Sequence, residues 1–227
     1  MNMTPRLRKL TLTAHITSSV GWLGAVVGFL VLAIAGLSSG DESVVRGAYV
    51  AMGALGWFAI VPLSLAALLT GIIQSLGTPW GLIQHYWVAT KLVLTLLAVG
   101  VLMLHMEPVS LLASAAAEGA LAETALRGLR VQIAADAAAG LLVLIVNTTL
   151  SVYKPRGLTR YGRRVQVERE GAVQAARLPR PVALRPVPHL GTVSRSPRWA
   201  YVVGLHAVGL GLLFIIFHLA GGGFGGH

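Results

Sequence analysis

The chain has 227 residues, of which 55% are hydrophobic and only 11% charged, with a formal net charge of +10. A soluble domain carries about 25% charged residues, so this composition is that of a membrane protein. There is no cysteine, which excludes disulfides, thiolate metal sites and cysteine nucleophiles together.

Arg6, Arg8 and Lys9 precede a long apolar run that reaches Leu37. A run of this length exceeds the apolar core of a signal peptide, and no small-residue cleavage site follows it, so residues 12–37 are expected to be a retained first transmembrane helix. Gly24-x-x-x-Gly28 places two small residues on one face of it, a spacing that lets helices approach closely. Asp41 and Glu42 mark a short turn, and residues 46–76 form the second expected span, with Pro62 as its kink. Thr70 and Gln74, one turn apart, are expected to face neighbouring helices.

Gly77-Thr-Pro-Trp-Gly81 breaks the chain, and Trp80, Tyr86 and Trp87 fit an interfacial aromatic belt. The third span, 86–106, is apolar enough to cross a bilayer, for which about 20 residues suffice. It nevertheless carries Lys91 and closes on Met103-Leu-His105-Met106. Residues 107–127 are Ala-rich and mildly acidic, compatible with a surface helix. The fourth span, 128–153, contains Arg130, Gln132 and Asp136. Residues 154–198 are polar, Pro-rich towards their end and strongly basic; 199–220 form a fifth apolar span, and 221–227 a Gly-rich tail ending in His227.

The expected fold is therefore all-α: a polytopic helical membrane protein with a four-helix transmembrane bundle over 1–153 and a fifth transmembrane helix. Basic residues crowd the N-terminus and the 154–198 loop, whereas Asp41, Glu42, Glu107, Glu118 and Glu123 fall in the other connections. The positive-inside rule then gives a cytoplasmic N-terminus and an outer C-terminus. Topology and attraction to anionic lipid, about 1 kcal/mol per basic residue near the surface, explain the basic loop better than nucleic acid, for which no recognition motif is present.

Ionisable groups within spans are functional candidates by default. At about 1.5 Å rise per residue, His15 and Lys91, with His206 nearer the middle, form a cytoplasmic-side set. His105 and His218 lie at the outer boundary, and Asp136 slightly outward of the middle. Lys91 and His105, fourteen residues apart, share a helix face. Three chemistries are open. Facing histidines would ligate a haem iron; Met103, His105, Met106 and His218 would suit copper; Asp136 with Lys91 would relay protons. Against each stands a plainer use: Lys91 snorkels to the interface, the methionines pack, and the histidines and Asp136 hydrogen-bond neighbouring helices.

His15-x6-Trp22-Leu-Gly24, Trp87-x3-Lys91 and the later His105 resemble bacterial membrane proteins of the copper-resistance D type and the related membrane-bound protoporphyrinogen oxidase of the haem pathway. The chain also resembles uncharacterised integral membrane proteins of high-GC bacteria with similar T-G-I-I-Q-S-L-G-T-P-W-G-L and H-L-A-G-G-G-F-G-G-H segments. The likeness spans roughly residues 12–153 and implies a location in the bacterial cytoplasmic membrane. It implies haem b held with His15 and Lys91, or copper handled with Met103, His105 and Met106. The expected function is an intramembrane haem b or copper site used in redox chemistry or metal handling. The alternatives are a cofactor-free scaffold or accessory subunit, alone, as a homodimer or with other membrane subunits, and a small transporter or proton relay.

Overall fold

The computed structural model describes residues 3–77, 81–120, 124–155 and 157–177, with the side chains of 124, 125, 176 and 177 left aside. The fifth expected span, its His206 and His218, and the Gly-rich tail lie outside the described residues.

Helix α1 runs Pro5–Ser38, α2 Glu42–Leu55 and α3 Val61–Leu76; α4 runs Tyr86–Glu118, α5 Thr124–Tyr153 and α6 Arg160–Arg177. A π-helical turn, Gly56–Ile60, joins α2 to α3, so the two form one continuous rod. Among the described residues, four helices are long and apolar enough to cross a membrane: Pro5–Ser38, Glu42–Leu76, Tyr86–Glu118 and Leu126–Tyr153. The protein is a multi-pass helical membrane protein by length and composition. Its outward residues fit a lipid surround: Phe58 is 85% exposed, and Val20, Val31, Leu69, Leu104 and Leu142 all point away from the core.

Local chemistry sets the helix ends. Thr4 accepts a hydrogen bond from the Leu7 amide at 3.4 Å and Pro5 occupies the first turn, where a missing N–H is harmless. Asp41 caps α2 by accepting from the Ser43 amide at 2.8 Å and hydroxyl at 2.7 Å. These hydrogen bonds, the hydroxyl's first, hold the Asp41 carboxyl below its ordinary range. Gly119, with φ +78°, closes α4 in a left-handed turn, and the Ala120 amide bonds back to Ala115 O at 2.9 Å.

The spans extend beyond the sequence expectation. The helix holding the third span does not stop at Met106. It continues through Pro108 to Glu118, so most of the Ala-rich stretch expected as a surface helix is the end of α4 itself. Pro108 removes one backbone donor, but the surrounding periodic apolar residues, with Val109, Leu112 and Ala116 buried, keep the helix going. Pro62 acts differently. Its ring conflicts with the carbonyl four residues earlier, at Phe58, and the chain widens to an i→i−5 bond from the Val61 amide to Gly56 O.

Each span packs against its neighbours in sequence, and α1 also packs against α5, closing a four-membered ring. Among the described residues, the backbones of α1 and α4 do not approach each other across the diagonal, nor do those of α2 and α5. Close approaches rest on glycines: a Cβ at Gly53 would stand 2.7 Å from that of Ala113, and one at Gly36 only 2.8 Å from the Tyr49 ring. At one end, the Arg130 guanidinium lies 5.0 Å from the Tyr49 ring centroid, donates to the Tyr49 hydroxyl at 2.8 Å and also bonds Gly36 O. At the other end, the Thr159 amide bonds Gln84 O at 2.9 Å and the Tyr86 amide bonds Gly157 O at 3.2 Å. These bonds fasten the start of α6 to the α3–α4 connection.

Candidate functional site

A cavity of about 180 Å³ occupies the middle of the ring, lined from all four spans. Its origin is a volume deficit. Residues 134–140 of α5 read Ala-Ala-Asp-Ala-Ala-Ala-Gly, and a Cβ built on Gly140 meets nothing within 4 Å. Opposite stand Trp22 and Phe29 of α1, Gly56 and Ile60 of the π turn, and Leu102 and Met106 of α4. Gly56 admits the Met106 thioether, since a Cβ there would stand 2.9 Å from Met106 Cε. The walls are apolar apart from two ionisable residues, His105 and Asp136.

These two meet. His105 Nε2 lies 2.7 Å from Asp136 Oδ2, with their side chains 10% and 13% exposed. The other ring nitrogen, Nδ1, is 2.8 Å from Val101 O, one turn back on α4. A carbonyl only accepts, so Nδ1 carries a hydrogen and donates it. A 2.7 Å approach of Nε2 to a carboxylate oxygen then requires a proton between them, in an imidazolium–carboxylate or an imidazole–carboxylic acid pair. Both arrangements are neutral overall and hold one proton, which is how two ionisable groups persist in an apolar cavity.

The remaining sequence-predicted residues are placed as follows. His15 leaves the cavity and packs on α3, its Nδ1 3.1 Å from Ala67 O and 3.2 Å from Thr70 Oγ1. The expectation that Thr70 faces a neighbouring helix holds. Lys91 turns to α5, where its ammonium donates to Ser151 Oγ. Ser151 donates to Asn147 O at 2.9 Å, and Asn147 Nδ2 to Thr95 Oγ1 at 2.8 Å. His15 and Lys91 interact electrostatically, yet neither lines the cavity. Lys91 and His105 both bond to α5, as their shared helical phase requires. Met106 lines the cavity, whereas Met103 does not and is 38% exposed.

Asp136 has no partner within hydrogen-bonding reach along its own helix, and its partner comes from α4. Arg130, six residues before it, is committed to Tyr49 and Gly36. Sequence reasoning set His105 with His218 and treated Asp136 apart; the described residues instead join His105 to Asp136. The run of small residues flanking Asp136 was the available signal, because an acid among alanines needs a donor from a facing helix. The π turn, with Pro62 just beyond it, is the other feature the sequence reading missed.

Among the described residues no three His, Asp or Glu side chains group in a way that would hold a metal ion. The cavity's donor set is one imidazole, one carboxylate and one thioether. It suits a soft or borderline ion better than magnesium or calcium. For comparison, an apolar cavity of about 150 Å³ takes up one benzene ring. A porphyrin is several times that size, so haem b does not fit the cavity as it stands.

No protein-family model matches the chain, and no curated protein or solved structure matches it either.

Proposed function

We propose that this chain is a multi-pass protein of the bacterial cytoplasmic membrane that handles copper at the His105–Asp136 pair in the middle of its bundle. The observation carrying this reading is that His105, Asp136 and Met106, from two helices, line one otherwise apolar cavity. An aspartate in a membrane interior is costly, by about 2.5–3.5 kcal/mol on the insertion scale, and ionisable groups there are retained where chemistry uses them. Nδ1 donating to a backbone carbonyl is also how metal-binding histidines are oriented. Copper would be held by Nε2, the Asp136 carboxylate and the Met106 sulfur, and would bring one-electron redox capacity to the site. The protein's own contribution is a dry cavity, a fixed ring orientation and one exchangeable proton. Because ligands must be deprotonated to bind metal, copper uptake competes with that proton and strengthens as pH rises.

In this reading the N-terminus and α6 lie on the cytoplasmic side, and Asp41 and Glu118 outside. Lys154 and the arginines of the 154–198 segment attract anionic lipid. A fifth span over 199–220 would place the C-terminus outside.

The test is metal analysis and an ultraviolet–visible spectrum of gently solubilised full-length protein after growth with copper and haem precursor. Stoichiometric copper, lost in both His105→Ala and Gly140→Leu, is the expected result. A Soret band depending on His15 and Lys91 would transfer the site to haem b. A colourless, metal-free protein would leave the scaffold reading, which draws on Gly24. That residue is exposed and open around its Cβ position, where a helix of another subunit or a second copy can approach.

A further inference from the structure

Lys91 is a cation in search of an anion. It sits in the first turns of α4, and its ammonium, which carries three hydrogens, donates to Ser151 Oγ near the end of α5. A hydroxyl satisfies one hydrogen and none of the charge. Two further positive charges act on it: Lys154, just beyond α5, and His15 when protonated.

Among the described residues no carboxylate is placed to answer it. The whole sequence has eight acidic residues. Asp41, Glu42 and Glu118 lie at the opposite end of the bundle, Glu107 lies in the far half of α4, and Glu123 falls in sequence between α4 and α5. Asp136 is taken by His105. Glu168 and Glu170 are exposed on α6, where Glu170 accepts from Gln166 at 2.9 Å. Residues 171–227 contain no acidic side chain. A membrane-embedded ammonium is normally paired, and among the described residues no carboxylate supplies that charge.

We propose that the α4–α5 seam at Lys91 binds an external phosphate oxyanion. Lys91 supplies the charge, Lys154 adds to the field, and the Ser151 hydroxyl fixes the ammonium on the seam. The surroundings favour a lipid headgroup as the carrier of that phosphate. Val93, Val152 and Tyr153, one or two residues from Lys91 or Ser151 in sequence, are 52%, 72% and 78% exposed, so these ends of α4 and α5 offer acyl chains an apolar surface. Basic sites between transmembrane helices near the interface are suited to anionic headgroups. The site is separate from the cavity and does not depend on any metal there.

The test is native mass spectrometry of the full-length protein in detergent with added phosphatidylglycerol or phosphatidylcholine. The variants are Lys91→Met, Lys91→Arg and the control Arg127→Gln, an exposed residue at the opposite end of the bundle. Wild type, Lys91→Arg and Arg127→Gln should retain one phosphatidylglycerol in preference to phosphatidylcholine. In Lys91→Met the preference should fall by about fivefold, the worth of one basic residue near the surface. Millimolar inorganic phosphate that leaves the bound lipid in place supports the headgroup as the source; displacement supports the oxyanion site with free phosphate as its source. Unchanged lipid preference in a folded Lys91→Met variant overturns the proposal. So does loss of preference in Lys91→Arg, because guanidinium keeps the charge. Thermal melting of each variant separates loss of binding from loss of fold.

Discussion

Removing both members of the His105–Asp136 pair should cost less than the two single removals added together. In His105→Ala the Asp136 carboxyl keeps its place in an apolar cavity but loses the group that shares its proton. Breaking a buried pair in this way costs about 3–5 kcal/mol. In Asp136→Ala the imidazole still donates to Val101 O, and only Nε2 loses its partner, a penalty of about 1–3 kcal/mol. The double variant strands neither member of the pair without the other and enlarges a cavity of about 180 Å³ that is already present. Its penalty should fall below the sum of the two single ones by about 2 kcal/mol, within the range for residues in contact. Reversible unfolding by sodium dodecyl sulfate in mixed micelles, with all four proteins at one pH, reads this coupling directly. Single penalties that add to within about 0.5 kcal/mol would mean the two residues do not share a proton, and the account of the cavity given above would fall.

Gly140→Leu should fold at least as well as wild type, since a Cβ there meets nothing within 4 Å and glycine in a helix interior costs about 1 kcal/mol. Thermal melting tests the stability, and copper content tests whether the filled cavity still binds. Gly53→Ala should destabilise by about 1–3 kcal/mol, because its Cβ would stand 2.7 Å from that of Ala113 and α2 would have to part from α4. Gly53→Ala with Ala113→Gly should recover most of that loss in the same unfolding assay. Asp41 gives a pH dependence of known sign. Its carboxyl is held below the ordinary range by Ser43, so its contribution is complete above the unfolded carboxylate pKa of about 3.9 and is lost as pH falls through the lower folded value. Asp41→Asn keeps a capping side chain without the titration. The stability of wild type relative to this variant should stay constant near neutrality and decline in acid; a difference that grows in acid would refute the cap.

The membrane-spanning helices could be read from the sequence because each requires only an apolar run of sufficient length, a local property. Their ends were harder. The third span was expected to end at Met106, yet α4 continues through Pro108, because buried Val109, Leu112 and Ala116 secure the next turns by packing that a one-dimensional reading does not contain. Lys91 and His105 could be assigned to one helix face from spacing alone, and both do reach α5. Which residue each would meet could not be assigned, because partner choice depends on the relative depth and rotation of two helices far apart in the chain.

By itself, then, the sequence determined a helical membrane protein with at least four spans and the set of polar residues they carry. Helix formation and membrane insertion depend on neighbours in the chain and on the bilayer, and both are written in composition and period. Only the tertiary structure decided that Asp136 belongs to His105 rather than to Lys91 or Arg130. It also decided that Met106, not Met103, shares their cavity, and that the cavity exists. Those facts depend on how small residues at 134–140 stand opposite Trp22, Phe29 and a π turn. A void between helices is a property of all four spans at once.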